Sequence, residues 1–274
     1  MTAERLILGE AAAAAPGRAD DRASGGGDDG LPSGAVSGIG VFAQGLAAAA
    51  PSVALASVPG SLFLVAGKGA LWAAVIGGVI VYLVAIVIAF QARRTVSSGS
   101  LGTYAGNGLG PVAAFVTGWA LVIGYIGFGA GGVLGAVLYF NSFLQEIGLH
   151  TDHLAVKIGL LVLATAASLY IPYRGVGVSV RLGLGFEVVS LLAISVILVT
   201  SYIHYGARID TGQFALGHLG SSTVLIAAVT AVGSYAGFES AASLGHEARD
   251  AHRTVPRAVV RLVLGLAVVY LLAT

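Results

Sequence analysis

The stretch Gly233-Ser-Tyr-Ala-Gly-Phe-Glu-Ser-Ala-Ala-Ser-Leu-Gly-His-Glu-Ala-Arg-Asp-Ala-His-Arg-Thr-Val-Pro-Arg257 begins inside a long apolar run and ends in a dense cluster of charge. Its apolar part carries Gly237 and Glu239 two residues apart. Glycine permits a helix to unwind, and an ionisable side chain in hydrocarbon is costly and usually faces a cavity or a partner. The stretch therefore predicts a membrane helix that is interrupted beside a buried carboxyl group. The alternative is that Glu239 ends its span at the membrane surface.

The composition indicates a membrane protein. Of the 274 residues, 57% are hydrophobic and 10% are charged, whereas soluble domains carry about 25% charge. So few polar residues cannot cover a water-soluble globule of this size. The absence of cysteine excludes disulfides and thiolate metal sites.

Six continuous apolar runs and the start of a seventh follow one another along the chain. Runs of about 20 apolar residues cross a bilayer as helices, and their continuity argues against strands. The predicted spans are Ala35–Val58, Ala70–Phe90, Val112–Phe143, Leu154–Ile171, Leu184–Tyr205, Thr223–Leu244 and, incomplete, Pro256–Thr274. Residues 1–33 are rich in Ala, Gly, Ser and Asp, and we interpret them as a disordered cytoplasmic tail before a transmembrane domain at 34–274.

The basic residues predict that the N-terminus is cytoplasmic, because cytoplasmic loops carry the excess of Lys and Arg. With that orientation the outside holds only Lys68, Lys157 and Arg208. The inside then holds Arg5, Arg18, Arg22, Arg93, Arg94, Arg174, Arg181, Arg249, Arg253, Arg257 and Arg261.

A second interruption is predicted in the first span, at Pro51. Proline lacks an N–H and clashes with the preceding turn, so it frees backbone groups within the membrane; by itself it is also compatible with a simple kink. The first and sixth spans lie five spans apart. Interrupted helices at matching positions in two halves indicate the binding site of a transporter.

Several segments resemble amino-acid permeases of the amino acid–polyamine–organocation superfamily, which have the LeuT-type fold. The resemblance covers roughly Ala35 to the C-terminus. The segments are Gly237-Phe-Glu239, Ala241-Ala-Ser-Leu-Gly-His-Glu247, Arg253-Thr-Val-Pro-Arg257, Ala48-Ala-Ala-Pro51, Ser98-Gly-Ser-Leu-Gly-Thr-Tyr-Ala-Gly-Asn-Gly-Leu-Gly-Pro111 and Gly175-Val-Gly-Val-Ser179.

The resemblance implies that substrate binds between the two unwound stretches. One side would be Ala49, Ala50, Pro51 and Ser52, and the other Ser234, Tyr235, Ala236 and Gly237. A substrate carboxylate suits free N–H groups at a half-helix start, and an ammonium suits free carbonyls at a half-helix end. Tyr235 and Phe238 are candidates for an aromatic lid, with ordinary packing as the alternative.

Two glutamates are candidates for coupling and gating. Burial favours the protonated form of a carboxyl group, so Glu239 beside the cavity is a candidate for proton coupling. Glu187 is either a second intramembrane carboxyl or the partner of Arg181 near the cytoplasmic end, and we favour the pair. Some relatives carry a lysine in the fifth span in place of a sodium ion. In this chain Ser190 occupies that position, so the sequence supports neither a lysine mechanism nor a sodium site.

Other patterns do not indicate a cofactor, a metal or nucleic acid. Gly127-Phe-Gly-Ala-Gly-Gly132 matches a nucleotide-binding pattern but lies inside an apolar run, and its four-residue glycine spacing predicts close helix packing. His246, Glu247, Asp250 and His252 lack the spacing of a zinc site, and His150-Thr-Asp-His153 is more typical of a solvated loop. The basic loop after the sixth span suits lipid headgroups.

The sequence thus predicts an all-α polytopic membrane protein with a LeuT-type five-helix inverted repeat, truncated in the seventh helix. We expect a proton-coupled secondary active transporter of amino acids or related amines in the cell membrane, of which this chain is a fragment. The alternative is a non-transporting membrane subunit or amino-acid sensor that reuses the half-fold. No nucleophile–base pair indicates an enzyme.

Overall fold

The computed structural model describes residues 34, 36–149, 153–206, 211–215, 217 and 222–274. The predicted tail at 1–33, Arg208 and most of the His150–His153 loop lie outside these residues. The described chain is helical, with one isolated parallel bridge between Val36 and Ala248. Its α-helices are α1 Gly38–Ala49, α2 Pro51–Ala66, α3 Ala70–Ala92, α4 Ser100–Leu109, α5 Pro111–Glu146, α6 Leu154–Tyr173, α7 Val176–Tyr205, α8 Ser222–Gly233, α9 Ser240–Ser243 and α10 Ala251–Ala273.

Five helical segments of the described chain are long and apolar enough to cross a membrane. They are Pro51–Ala92, Pro111–Glu146, Leu154–Tyr173, Val178–His204 and Ala251–Ala273. The first contains α2 and α3, joined by a short 3₁₀ turn at Gly67–Gly69. The helices α1 and α8 are apolar but have only 12 residues each, because each one ends at a backbone break.

Helix α3 lies at the centre of the packed core. It packs against α8 on one side and α10 on the other, and α1 packs against α10. Small residues allow the close approach: a Cβ atom built on Gly77 would lie 2.6 Å from the Ala231 Cβ and 3.1 Å from the Ala231 carbonyl carbon. Helix α3 is therefore held against α8 at a distance that only glycine permits.

Replacing Gly77 with alanine is expected to destabilise the chain by about 2 kcal/mol, because overpacking a tight contact costs about 1–3 kcal/mol. Thermal unfolding in detergent measures this change. The matched control is Gly124→Ala in α5, where a Cβ would meet nothing within 4 Å. Equal stability of the two variants would contradict the close contact of α3 with α8.

The end of the molecule next to α1 is closed by backbone contacts. The Val36 N–H donates to the Glu247 carbonyl at 2.8 Å, and the Arg249 N–H donates to the Val36 carbonyl at 2.8 Å. A Cβ on Gly245 would lie 2.7 Å from the Ser97 carbonyl oxygen. The segment before α1, the loop after α9 and the loop after α3 therefore meet at this end.

Helices α5, α6 and α7 present mostly apolar side chains on their surfaces, and α5 and α6 contain no buried residue. Two helices, α7 and α10, begin earlier than the sequence predicts. Helix α7 begins at Val176 rather than Leu184, and α10 begins at Ala251 rather than Pro256. In both cases helical structure extends beyond the predicted span into a flank that contains a basic residue, Arg181 in α7 and Arg253 in α10.

Candidate binding site at the two helix breaks

The first break lies between α1 and α2. Ala50 adopts a left-handed conformation, with φ 41° and ψ 61°, and α2 begins at Pro51. Proline has no N–H, so the Ala47 carbonyl loses the donor that would continue the helix. The Ser52 N–H also leaves the helical ladder. Pro51 therefore interrupts the helix rather than only bending it.

Glu187 on α7 accepts the backbone donor that this break releases. Its Oε1 accepts from the Ser52 N–H at 2.7 Å and its Oε2 from the Ser52 hydroxyl at 2.8 Å. Its side chain is 5% exposed. The favoured pairing of Glu187 with Arg181 is wrong: Arg181 is exposed, and the carboxylate points to α2. An N–H in hydrocarbon needs an acceptor, and Glu187 supplies it.

The second break follows the end of α8 at Gly233 and extends to Ser240, where α9 begins. Gly237 has φ 101°, a conformation that side chains disfavour. Its N–H donates to Glu239 Oε2 at 3.0 Å, and the Tyr125 hydroxyl of α5 donates to Glu239 Oε1 at 2.7 Å. Glu239 is 9% exposed, so its side chain is buried in the protein. Each break thus has a buried glutamate that accepts its released N–H.

The two breaks touch each other through their backbones. A Cβ on Gly237 would clash with the Ala48 carbonyl oxygen and would lie 2.6 Å from the Ala48 carbonyl carbon and 2.9 Å from the Ala49 nitrogen. The sequence predicts two interruptions, and the structure brings them into direct contact.

A cavity of about 1030 Å³ opens beside the breaks, between α2, α5, α7 and α8. The predicted site residues Ala49, Ala50, Ser52 and Ser234 line it; Pro51, Ala236 and Gly237 do not. The glycine spacing in α5 does not produce close helix packing as predicted. A Cβ on Gly127, Gly131 or Gly135 would meet nothing within 4 Å, and all three glycines line this cavity.

The two aromatic residues of the second break lie in the packed core. The Tyr235 ring meets the Tyr270 ring edge to face, with centroids 5.0 Å apart, and its side chain is 2% exposed. Phe238 is 7% exposed in the same core. Neither residue lines the cavity. In this structure both residues pack in the core and do not form an aromatic lid over the cavity.

Residues 31–274 match the family model described as amino acid permease. The chain belongs to the amino acid permease family. It is an integral membrane protein, as its family and its apolar helices indicate.

Relatives of this permease chain are named as transporters. An uncharacterized transporter of Mycobacterium tuberculosis is 30% identical over 214 residues, 76% of this chain and 44% of the relative. The low-affinity putrescine importer of Escherichia coli is 26% identical over 188 residues, 66% and 40% of the two chains. The methylthioribose transporter of Bacillus subtilis is 23% identical over 221 residues, which cover 75% of this chain and 46% of the relative. The match spans less than half the length of each relative. No solved structure matches the chain significantly.

Sequence reasoning missed several polar residues at the site of this permease chain. Tyr125 binds Glu239, and the hydroxyl-bearing Thr230 and Tyr139 line the cavity together with Ser190. A tyrosine within an apolar run indicates that its phenol needs a hydrogen-bond partner. This is a weak indication of a site, because it does not say which residue the partner is. The partner itself lies 114 residues away, so only the tertiary structure identifies it.

Proposed function

We propose that this chain forms the substrate-binding part of a secondary active transporter for amino acids or related amines, with a LeuT-type inverted repeat. The observation that carries the proposal is the contact between two interrupted helices beside a large cavity. In transporters, helix breaks of this kind form the binding sites of small polar substrates, largely from backbone groups. The family and the transporter names of the relatives support the same conclusion.

The proposed site places substrate against Ala49, Ala50 and Ser52 on one side and Ser234 on the other. Pro51, Ala236 and Gly237 shape this site through the backbone, and Tyr235 and Phe238 hold the second break in the core. The N-terminus is proposed to face the cytoplasm, which puts the closed end beside Val36 on the cytoplasmic side of a cell membrane.

Glu239 is proposed to couple a proton to gating. As a carboxylate it accepts from Gly237 and from Tyr125 at the same time. A proton on either oxygen turns that oxygen into a donor and weakens one of the two bonds. Protonation would thereby loosen the connection between the second break and α5, which forms a wall of the cavity.

Binding to the purified chain in nanodiscs tests the proposed function, because binding requires only the two breaks and the cavity. We expect saturable binding of at least one member of a panel of radiolabelled amino acids and polyamines. Absence of saturable binding by a monodisperse, folded sample would contradict the proposal. Binding without uptake into proteoliposomes would instead favour a sensor or subunit.

Proton coupling is tested with the same ligand in weakly buffered solution containing a pH indicator. Ligand binding to the unmodified chain is expected to be accompanied by a proton change, and Glu239→Gln is expected to abolish that change while the chain stays folded. The matched control is Glu146→Gln at the exposed end of α5. An unaltered proton change in Glu239→Gln would exclude Glu239 as the coupling group.

A further inference from the structure

The N–H groups that would be free in the first turn of α2 already have acceptors within the described chain. The first N–H groups of a helix lack partners within the helix, and at the start of α2 three residues need to be considered. Pro51 has no N–H. The Val53 N–H donates to the Ala50 carbonyl at 3.0 Å, and the Ser52 N–H donates to Glu187 at 2.7 Å. The position that would receive a substrate carboxylate is therefore filled by a carboxylate of the protein.

The same break is rich in acceptors. The carbonyl oxygens of Ala47, Ala48 and Ala49 lose their usual helical donors, because Pro51 has no N–H and the N–H groups of Ser52 and Val53 donate elsewhere. Both oxygens of Glu187 accept, which is the pattern of an ionised carboxylate. Within the part of the chain that the structure describes, the buried charged residues are Glu187 and Glu239, and no ion pair with a basic side chain neutralises either one. An ammonium group, which has only donors and a positive charge, suits this environment.

We propose that Glu187 determines substrate class: its carboxylate replaces that of a substrate, so the site takes alkyl amines without a carboxylate in preference to α-amino acids. This inference rests on the proposed function and narrows it. Glu187 lies one turn before Ser190 on α7 and accepts from Ser52, and both Ser190 and Ser52 line the cavity. The negative charge therefore acts close to the cavity wall and at low dielectric, where it is poorly screened.

The sequence predicts that free N–H groups at the half-helix start hold a substrate carboxylate. The structure shows that the start of α2 is already capped, and a second carboxylate there would meet the charge of Glu187. Repulsion between like charges disfavours the α-amino acid more than the amine.

Matched ligand pairs that differ only by the carboxylate test the inference. The probes are 1,4-diaminobutane against ornithine and 3-methylbutylamine against leucine, measured by competition binding to the chain in nanodiscs. For both pairs, we expect the amine to bind at least about 10-fold more tightly, which corresponds to about 1.4 kcal/mol. One pair has a basic side chain and the other an apolar side chain. An effect that is the same in both pairs therefore comes from the carboxylate and not from the side chain.

Two substitutions of Glu187 give different expected results. Glu187→Ala uncovers the Ser52 N–H and removes the charge, so affinity for the amine is expected to fall about 10-fold or more, and affinity for the amino acid to rise. Glu187→Gln removes the charge but keeps an oxygen that caps Ser52. It is expected to weaken amine binding without improving amino-acid binding. Glu146→Gln, an exposed carboxyl on α5, is expected to leave both affinities unchanged.

The outcomes separate the two proposals. If the unmodified chain binds ornithine and leucine as tightly as the matching amines, the role of Glu187 is overturned and the proposed function stands. If neither member of any pair binds although another ligand of the panel does, the role of Glu187 is overturned and the proposed function stands. If no ligand of the panel binds while the chain is folded, both fail. If Glu187 has a purely structural role, Glu187→Gln weakens the binding of both members of a pair equally, and that result also overturns the inference. If Glu187→Ala does not fold, Glu187→Gln alone tests the inference.

Discussion

Gly237→Ala is expected to abolish ligand binding and to destabilise the chain by at least about 3 kcal/mol. Two costs add. The φ of 101° is a conformation that costs a non-glycine residue about 1–3 kcal/mol. The added Cβ also clashes with the Ala48 carbonyl oxygen and lies 2.9 Å from the Ala49 nitrogen. Both are backbone atoms, which cannot turn aside as a flexible side chain can, so the two breaks must separate.

Thermal unfolding in detergent and competition binding in nanodiscs measure the two effects of Gly237→Ala. The matched control is Gly60→Ala in α2, where a Cβ meets nothing within 4 Å and alanine is favoured in a helix by up to about 1 kcal/mol. The control is expected to bind ligand normally. A Gly237→Ala variant as stable and as active as Gly60→Ala would show that the breaks do not touch in the working protein.

Glu239→Ala is expected to destabilise the chain by about 2–4 kcal/mol. The substitution removes two hydrogen bonds, from the Gly237 N–H and the Tyr125 hydroxyl. Bonds to charged groups contribute about 1.5–3 kcal/mol each, and a buried donor without a partner carries its full desolvation cost. The loss is partly offset because the buried carboxylate itself no longer has to be desolvated.

A double-mutant cycle isolates the contact between α5 and the second break. Tyr125→Phe removes only the phenol donor and is expected to cost about 1–2 kcal/mol. In the Glu239→Ala background, Tyr125→Phe should have little further effect, which gives a coupling energy of about 1 kcal/mol or more. Tyr139→Phe is the control on the same helix, since Tyr139 lines the cavity without contacting Glu239. Additive effects of Tyr125→Phe and Glu239→Ala would contradict the hydrogen bond.

The existence and approximate positions of the helices follow from the sequence, because continuous apolar runs report directly on partition into lipid. The helix ends do not. Hydrophobicity falls off before helical structure ends, as at Val176 and Ala251. The break at Pro51 was predictable because proline removes a donor, yet proline alone does not decide it. Pro59 lies inside α2, which continues through it.

The partners of the breaks were decided by the tertiary structure. Glu187 and Ser52 are 135 residues apart, and Arg181 is the nearer candidate along the chain. The side chains of Glu187 and Arg181 are six residues apart on α7, however, and at 3.6 residues per turn they point to different faces of the helix. The packing of α7 against α1 and α2 instead directs the carboxylate to the released N–H of Ser52.

The sequence by itself determined that the chain is an α-helical membrane protein with two interrupted helices and an acidic residue at one interruption. Hydrophobicity, proline and glycine act within a few residues, so they can be read locally. Only the tertiary structure decided that Ala48 and Gly237 touch, that a second glutamate caps the first break, and that the glycines of α5 line a cavity rather than a helix contact. These features depend on which faces of distant helices meet, and that is settled by the packing of the whole core.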